Sequence, residues 1–258
     1  MEQVKSRDGT TIAFDRIGQG PPVILVTGSL SDRADKRPLA ELLASDLTVL
    51  NYDRRGRGPS GDTQPYAVER EIEDIEAVIQ TAGGEAGLYG SSGGAVLSML
   101  AASAGLPVTK VAMWETPYLP EGMPTPPPDH VEQLGTMVAE GRRGDAVEYF
   151  LSKVVGMPPE AIAGARQTPF WVKAEALAHT LTYDALLLGD YRIPVDRVKS
   201  LTVPTLVMAG GADIPFMRDT AAALAEIFPA GEARFLDGQG HDVDSAVLAP
   251  VLKAFFAH

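Results

Sequence analysis

The feature that most constrains this chain is an alternation of short apolar runs with a helical pattern in its first 114 residues. Strands buried on both faces of a parallel sheet are typically apolar, as are residues 23–26 and, apart from Thr48, residues 47–50. Apolar side chains recur every three or four positions from residue 68 to 79, which predicts a helix. Strand signals at residues 87–89 and 108–114 complete a βαβαβ series. We therefore predict an α/β fold with a mostly parallel central sheet and helices on both faces.

The second half of the chain interrupts this pattern. Residues 117–128 are rich in proline and cannot form regular helix or a central strand. Only helical signals follow, until a strand pattern returns at residues 204–208. The simplest prediction is an α/β core, formed by residues 1–116 and 196–258, that is interrupted by a helical cap at residues 117–195.

The composition of the chain excludes several classes of function. The formal net charge is −12, and so acidic a surface repels nucleic acids and anionic membranes. The chain contains no cysteine, which removes disulfides, thiolate metal sites and cysteine nucleophiles. Its first residues lack the apolar segment of a signal peptide. We expect a cytoplasmic protein that acts on a small-molecule substrate without a metal or organic cofactor; the sequence carries no signal for its oligomeric state.

Residues 90–94, Gly-Ser-Ser-Gly-Gly, fit the pattern G-x-S-x-G between a predicted strand and a predicted helix. In a nucleophile elbow of this kind the central residue lies in a sharp, strained turn, so its neighbours two positions away must be glycine. This spacing selects Ser92 rather than Ser91 as the nucleophile. It also puts the hydroxyl at a helix N-terminus, where the amide dipoles favour developing negative charge. A glycine- and serine-rich turn without chemistry is the alternative interpretation.

A serine nucleophile requires a base, and the base requires a carboxylate that orients it. Of the four histidines, His241 is the preferred base because it lies in a glycine-rich loop directly after a predicted strand. Asp213 is the preferred acid because it follows the strand at residues 204–208. Glu115, which follows the strand at residues 108–114, is the competing candidate. We expect Asp213→Asn to lower kcat by orders of magnitude and Glu115→Gln to leave it unchanged.

The order Ser92, Asp213, His241, with the strand–turn–helix elbow, resembles the α/β-hydrolase fold family, in which the serine, the acid and the histidine follow one another in this order. Residues 53–60, Asp-Arg-Arg-Gly-Arg-Gly-Pro-Ser, are similar to a D-x-R-G-x-G-x-S turn that is common in the family. The resemblance covers essentially the whole chain. It implies that Ser92, Asp213 and His241 form a catalytic triad.

The resemblance also implies an oxyanion hole formed by the amides of Ser29 and Gly93, since the Ser29 amide is able to donate. The sequence departs from the family pattern at two positions. Thr27 stands where relatives often have the histidine of a His-Gly pair, and Ser91 stands where they often have His or Gln. Relatives with aspartate at the elbow attack epoxides or carbon–halogen bonds, and Ser92 argues against both reactions.

These residues predict a serine hydrolase that cleaves an ester, lactone or thioester of a small, largely apolar substrate through an acyl-enzyme. The candidate substrate-binding residues are Leu30, Tyr118 and Trp171. The same fold also supports C–C bond hydrolysis or cofactor-free perhydrolysis. A carrier-dependent thioesterase is a further alternative, although the acidic charge disfavours an acidic carrier. The last is a ligand-binding protein on a hydrolase scaffold with vestigial turnover.

Overall fold

A computed structural model of the chain describes residues 1–212 and 214–257. Within these residues, the strands are β1 (Glu2–Lys5), β2 (Thr11–Ile17), β3 (Pro22–Val26), β4 (Thr48–Tyr52), β5 (Ala86–Ser91), β6 (Val108–Trp114), β7 (Thr205–Ala209) and β8 (Gly231–Phe235). They form one sheet in the order β1-β2-β4-β3-β5-β6-β7-β8. The pairs β1/β2 and β2/β4 are antiparallel and the others are parallel, which confirms the mostly parallel sheet.

The helices lie on both faces of this sheet and in the segment between β6 and β7. They are α1 (Arg33–Leu43), α2 (Val68–Thr81), α3 (Gly93–Ser103), α4 (His130–Ala139), α5 (Arg143–Tyr149), α6 (Pro159–Ala165), α7 (Pro169–Leu177), α8 (Leu181–Leu188), α9 (Val195–Ser200), α10 (Phe216–Ile227) and α11 (Ser245–Phe256). A π-helical turn (Phe150–Val154) continues α5, and a 3₁₀ turn (Ala178–Thr180) precedes α8. None of the helices in the described ranges is long and apolar enough to cross a membrane.

Alternate residues of the parallel strands feed two separate apolar cores. Ile24 and Val26 of β3 pack into the cluster that contains α2, α3 and α10. Val23 and Leu25 pack into the cluster that contains α1 and α11. All four side chains are completely buried. This is the physical reason for the unbroken apolar run at residues 23–26, because a strand covered on both faces has no position left for a polar side chain.

Two elements of the first half of the core carry too weak a pattern to be predicted. Strand β1 pairs only with β2 at the edge of the sheet, and its residues are largely exposed and polar. Helix α1 contains Pro38, which is unusual in a helix interior. Its N-terminus is stabilised by Asp32, whose side chain accepts a hydrogen bond from the amide of Ala34.

The segment between β6 and β7 forms helices and no strand in its described residues. It has an apolar cluster of its own, in which Leu134, Val147 and Leu181 are completely buried. We call residues 117–195 the cap, as the sequence analysis proposed. Helix α8 reaches the start of α3 and Arg54 in the loop after β4, and its position brings the cap to the candidate site.

Candidate active site

Ser92 lies between the last residue of β5 and the first residue of α3, as the elbow pattern predicts. Its backbone has φ 55° and ψ −127°, a left-handed conformation that costs free energy in a residue other than glycine. Ser91 and Gly93 on either side are buried, whereas Ser92 is only partly buried. The turn therefore presents the Ser92 side chain and hides its neighbours.

The glycines two positions away from Ser92 are required by close backbone contacts. A Cβ atom on Gly90 would lie 2.1 Å from the main-chain oxygen of Gly94. A Cβ atom on Gly94 would lie 2.2 Å from the main-chain oxygen of Val26 in β3. Neither distance is possible between non-bonded atoms, so the turn can form only with glycine at both positions.

His241 and Glu115 are brought together from distant parts of the chain. The Nδ1 atom of His241 lies 2.9 Å from Oε2 of Glu115. The Glu115 side chain is completely buried, while the His241 ring is 37% exposed. The other carboxylate oxygen, Oε1, accepts hydrogen bonds from the amides of Gly210 (3.0 Å) and Gly211 (3.1 Å). This arrangement holds the ring of His241 through Nδ1, the nitrogen that the carboxylate of a triad contacts.

The preferred carboxylate, Asp213, lies outside the described residues. Its assignment therefore stays a prediction, and the contact between Glu115 and His241 does not test it. The chain passes close to Glu115 just before Asp213, because the amides of Gly210 and Gly211 bind the Glu115 carboxylate.

Trp114, the last residue of β6, connects the elbow to the loop of His241. Its main-chain oxygen accepts a hydrogen bond from the amide of Ser92 at 2.9 Å. Its indole Nε1 donates to the main-chain oxygen of His241 at 3.0 Å. Trp114 is completely buried, so both bonds are shielded from water. Trp114 was not among the predicted site residues, because a tryptophan at the end of a buried strand is typical of an apolar core.

The two residues predicted to form the oxyanion hole approach each other around Ser92. A Cβ atom on Gly28 would lie 3.0 Å from Cβ and 3.6 Å from Oγ of Ser92, so the backbone before Ser29 passes directly beside the Ser92 side chain. A Cβ atom on Gly93 would lie 3.7 Å from Oγ of Ser29. The loop after β3 and the start of α3 thus meet at the elbow, as two amide donors of one oxyanion hole must.

The three predicted substrate-binding residues are all buried and lie in two apolar clusters. Leu30 has a φ of 52° and packs into the apolar cluster of the cap. Trp171 belongs to the same cluster, where its Nε1 donates to Glu175 at 2.9 Å and the guanidinium of Arg166 covers its ring. Tyr118 packs into the core cluster beside α10. Their contact with a substrate stays a prediction.

A group of buried charges beside the elbow was not found from the sequence. Two guanidiniums, from Arg54 and Arg57, bind two carboxylates, from Glu71 of α2 and Asp184 of α8. All four side chains are at most 1% exposed. We call these four residues the cap–core ion cluster, because Asp184 belongs to the cap and the other three belong to the core.

Two sequence signals point toward this cluster in retrospect. Arg54 and Arg57 lie in the turn that resembles the family pattern, where a cluster of arginines is unusual in so acidic a chain. Asp184 is the one charged residue of helix α8, Leu-Thr-Tyr-Asp-Ala-Leu-Leu-Leu. A lone aspartate in an apolar helix needs a partner, since an isolated buried carboxylate is very costly.

The described residues contain no group of three or more His, Cys, Asp or Glu side chains arranged to hold a metal ion. The chemistry visible at the site is that of a serine hydroxyl, an imidazole, a carboxylate and backbone amides. These are the components of acyl transfer, in which a nucleophile adds to a carbonyl and amides bind the resulting oxyanion.

The chain matches the model of the alpha/beta hydrolase family over residues 23–251, and it therefore belongs to this family. An alpha/beta hydrolase from Sphaerobacter thermophilus DSM 20745 has a similar crystal structure, with a TM-score of 0.93 and 53% sequence identity. That similarity covers 99% of this chain and 100% of the other. Family membership supports a hydrolase, and it confirms the resemblance and the fold predicted from the sequence.

More distant relatives have diverse activities. An esterase from Thermogutta terrifontis is 23% identical, with a TM-score of 0.74 over 98% of this chain and 96% of the other. The 2-hydroxy-6-oxo-6-phenylhexa-2,4-dienoate hydrolase BphD from Rhodococcus sp. strain RHA1 is 21% identical, with a TM-score of 0.74 over 100% and 99% of the two chains. The uncharacterized hydrolase YraK of Bacillus subtilis (strain 168) is 33% identical over 95 residues. The match spans 35% of the length of that curated relative and 35% of this chain.

Proposed function

We propose that the protein is a serine hydrolase that cleaves a carboxylic ester, lactone or thioester of a small, largely apolar substrate through an acyl-enzyme. Ser92 is the nucleophile, His241 is the general base, and a carboxylate orients the His241 ring. The observation that carries the proposal is the strained, partly exposed Ser92 in an elbow whose strand neighbour, Trp114, also binds the loop of His241.

In the first half of the reaction, the Nε2 atom of His241 takes the proton of the Ser92 hydroxyl while Oγ attacks the carbonyl carbon. The hydrogen on Nδ1 stays on the ring and is donated to Glu115 Oε2, which stabilises the imidazolium. The amides of Ser29 and Gly93 bind the oxyanion of the tetrahedral intermediate. One such donor is typically worth roughly 3–4 kcal/mol of barrier.

In the second half, the imidazolium gives its proton to the leaving alkoxide or thiolate, and the acyl group remains on Ser92. Water then attacks the acyl carbon, with His241 again as the base, and a second tetrahedral intermediate collapses to the acid and free serine. The carboxylate of Glu115 takes no proton from the ring in this scheme. Its role is to fix the ring and its tautomer.

Apolar residues of the cap support an apolar acyl or alcohol group. Helix α8 approaches the elbow through Leu187, whose Cδ2 atom lies 4.0 Å from the position a Cβ atom on Gly93 would take. The charges next to it are paired with one another in the cap–core ion cluster. A neutral substrate group is therefore favoured beside the elbow, since a charged one would find no unpaired opposite charge in that cluster.

The experiment that tests the proposal is labelling with a small fluorophosphonate, read by intact mass, on wild type, Ser92→Ala and Ser91→Ala. Ser91→Ala is the matched control because it removes the adjacent hydroxyl and leaves the elbow intact. We expect one adduct on wild type and on Ser91→Ala and none on Ser92→Ala. Hydrolysis of p-nitrophenyl butanoate should fall by roughly 10³-fold or more in Ser92→Ala alone. An adduct that persists in Ser92→Ala would contradict the proposal.

A further inference from the structure

The loop between β3 and α1 carries the expected oxyanion donor, Ser29, and it is bound by side chains of the cap–core ion cluster. We propose that Arg57, held in place by Asp184 of the cap, is a positioning residue that orients and polarises the peptide between Gly28 and Ser29. The cap would then help to build the oxyanion hole in addition to covering it. This inference rests on the proposed acyl-transfer function of the site.

Arg57 is hydrogen-bonded to the peptide between Gly28 and Ser29. The Nη1 atom of Arg57 donates a short hydrogen bond to the main-chain oxygen of Gly28 and a second one, at 3.2 Å, to that of Ser31. The oxygen of Gly28 and the amide hydrogen of Ser29 belong to the same planar trans peptide and point in opposite directions. A guanidinium fixed on the Gly28 oxygen therefore fixes the direction of the Ser29 N–H, which is the expected donor to the oxyanion.

The charge of Arg57 also strengthens the Ser29 N–H as a hydrogen-bond donor. Hydrogen bonds in a chain polarise one another, so a cation bound to a peptide oxygen makes the N–H of the same peptide a better donor. The effect is largest where water is excluded, and Arg57 is 1% exposed. The charge of Arg57 thus polarises the peptide and strengthens the Ser29 N–H as a donor to the oxyanion. The guanidinium itself remains on the other side of the loop.

Arg57 is held in place by Asp184 of the cap. Its Nη2 atom lies 2.9 Å from both carboxylate oxygens of Asp184 in helix α8. Asp184 also accepts from Nη1 of Arg54 at 2.8 Å, and the same Nη1 donates to the main-chain oxygen of Thr27 at 3.2 Å. Glu71 binds the other side of Arg54 in a two-bond contact of 2.6 and 2.7 Å. Both guanidiniums therefore bridge the cap and the loop.

The charge of Asp184, close to the expected oxyanion hole, is balanced by the two arginines. Asp184 Oδ1 lies 3.6 Å from the position that a Cβ atom on Gly93 would take, which is close to the second expected oxyanion donor. An unpaired carboxylate there would repel the tetrahedral intermediate. The cluster instead holds two arginines and two carboxylates, so its formal charge is zero. Asp184 can therefore position Arg57 without opposing the reaction.

A cluster that only anchored the cap would show the same distances, and a neighbouring ion pair separates the two interpretations. Arg55 leaves the same turn and forms a buried two-bond contact with Asp74, at 2.7 Å for each bond. Its other contacts are with Asp8 and the main-chain oxygen of Arg70. None of these groups lies in the loop of Ser29, so this pair is a matched control for the loss of a buried salt bridge.

The test compares Asp184→Asn and Arg57→Lys with Asp74→Asn and Arg55→Lys in the full-length protein. Lysine keeps the charge but cannot bridge a carboxylate and two loop oxygens with a planar fork. We expect kcat on p-nitrophenyl butanoate to fall about 10- to 100-fold in the first pair, less than the 10²- to 10³-fold typical of losing a whole donor. KM should change by less than about threefold, because the ground-state carbonyl gains little from the oxyanion hole. The control pair should keep kcat within about threefold even where its unfolding midpoint falls.

A second readout does not depend on turnover. Hydrogen–deuterium exchange of the peptide spanning residues 27–31 should accelerate in Asp184→Asn and Arg57→Lys, and stay at the wild-type rate in the two controls. If Asp184→Asn does not fold, Arg57→Lys carries the test, since it preserves the charge of the cluster.

Two results would overturn the inference: unchanged exchange of the loop in the first pair, or equal losses of kcat in both pairs. A wild type that binds no fluorophosphonate at Ser92 and turns over no ester would defeat the proposed function instead. The exchange measurement would still decide whether Arg57 and Asp184 fix the loop.

Discussion

Glu115 and Asp184 are both buried carboxylates beside the elbow, but they are satisfied by different kinds of partner. Glu115, from the core, accepts from two backbone amides and from the ring of His241. Asp184, from the cap, accepts from the permanently charged guanidiniums of Arg54 and Arg57. The core carboxylate thus faces a group that can gain and lose a proton, whereas the cap carboxylate faces charges that do not change.

This difference assigns different kinds of work to the two regions. An imidazole that becomes charged during the reaction needs a nearby negative charge that is not already neutralised, and the amides leave the charge of Glu115 available. A loop that must keep one geometry needs partners with fixed charge and fixed shape, which two guanidiniums provide. In the proposed mechanism, the core therefore carries the proton chemistry and the cap contributes geometry.

We expect the largest effect on kcat from replacing Glu115, the carboxylate of the core. In Glu115→Gln, one amide oxygen must replace two carboxylate oxygens. If that oxygen keeps the amides of Gly210 and Gly211, the NH₂ group faces Nδ1 of His241 and forces the ring into the tautomer that cannot act as a base. We expect kcat to fall by roughly 10²- to 10⁴-fold, which reverses the expectation from the sequence alone.

The matched variant for this experiment is Asp213→Asn, measured under the same conditions by steady-state kinetics. If Asp213→Asn alone lowers kcat, the sequence assignment stands and the Glu115 contact serves only to hold the loop. If both variants lower kcat and the double variant loses no more than the worse single one, the two carboxylates act as a unit on His241.

An intermediate effect is expected from the two tryptophans, one in each region. Trp114→Phe removes the donor to the main-chain oxygen of His241 and leaves a small cavity in the core. We expect kcat to fall about tenfold, which corresponds to roughly 1.4 kcal/mol, because the His241 loop loses a buried hydrogen bond. The measurement is kcat and KM together with a urea unfolding curve.

Trp171→Phe is the control for that measurement, since it removes an indole donor in the cap, where the partner is Glu175. It should leave kcat within about twofold. A rise in KM in Trp171→Phe would instead support the prediction from the sequence that this side chain contacts the substrate. An unchanged kcat in Trp114→Phe would show that the indole bond does not position the base.

The parts of the fold that could be predicted from the sequence are those in which the pattern is local. The run at residues 23–26 corresponds to β3 because a strand buried on both faces is apolar at every position. The strand signal at residues 108–114 corresponds to β6, in which residues 111–114 are buried although Thr109 is exposed. The elbow was found because positive φ at Ser92 and the close approach of Gly90 and Gly94 both demand a particular residue at a fixed spacing.

The parts that could not be predicted depend on which strands and helices become neighbours. Glu115 reaches His241 because β6 pairs with β7 in the register that sets Trp114 opposite Met208, and no local pattern encodes that register. Arg57 and Asp184 are 127 positions apart in the chain. Their contact exists only once the cap has folded onto the core, so the pairing could not be inferred from local sequence.

We expect the smallest effect in the pH dependence of stability, which tests the cap carboxylate Asp184. Burial alone would raise the pKa of Asp184, but the charges of Arg57 and Arg54 and hydrogen bonds from Arg54 and Ser29 outweigh it and lower that pKa below its ordinary value. A carboxyl group with a lower pKa in the folded state binds its proton more readily when unfolded, so it stabilises the fold at neutral pH. That contribution is complete above the ordinary pKa of aspartate, about 4, and is lost as the pH falls through the folded pKa.

The measurement is the free energy of unfolding of wild type and Asp184→Asn in urea between about pH 7 and 3. The difference between the two proteins should be constant from neutral pH down to about pH 5 and should then shrink, by at most about 1.4 kcal/mol per pH unit. Carboxylates outside the cap–core ion cluster titrate nearly equally in both proteins and cancel in the difference. A difference that stays constant down to pH 3, or grows on acidification, would mean that the guanidiniums do not hold Asp184 charged. The contrast drawn between Asp184 and Glu115 would then be wrong.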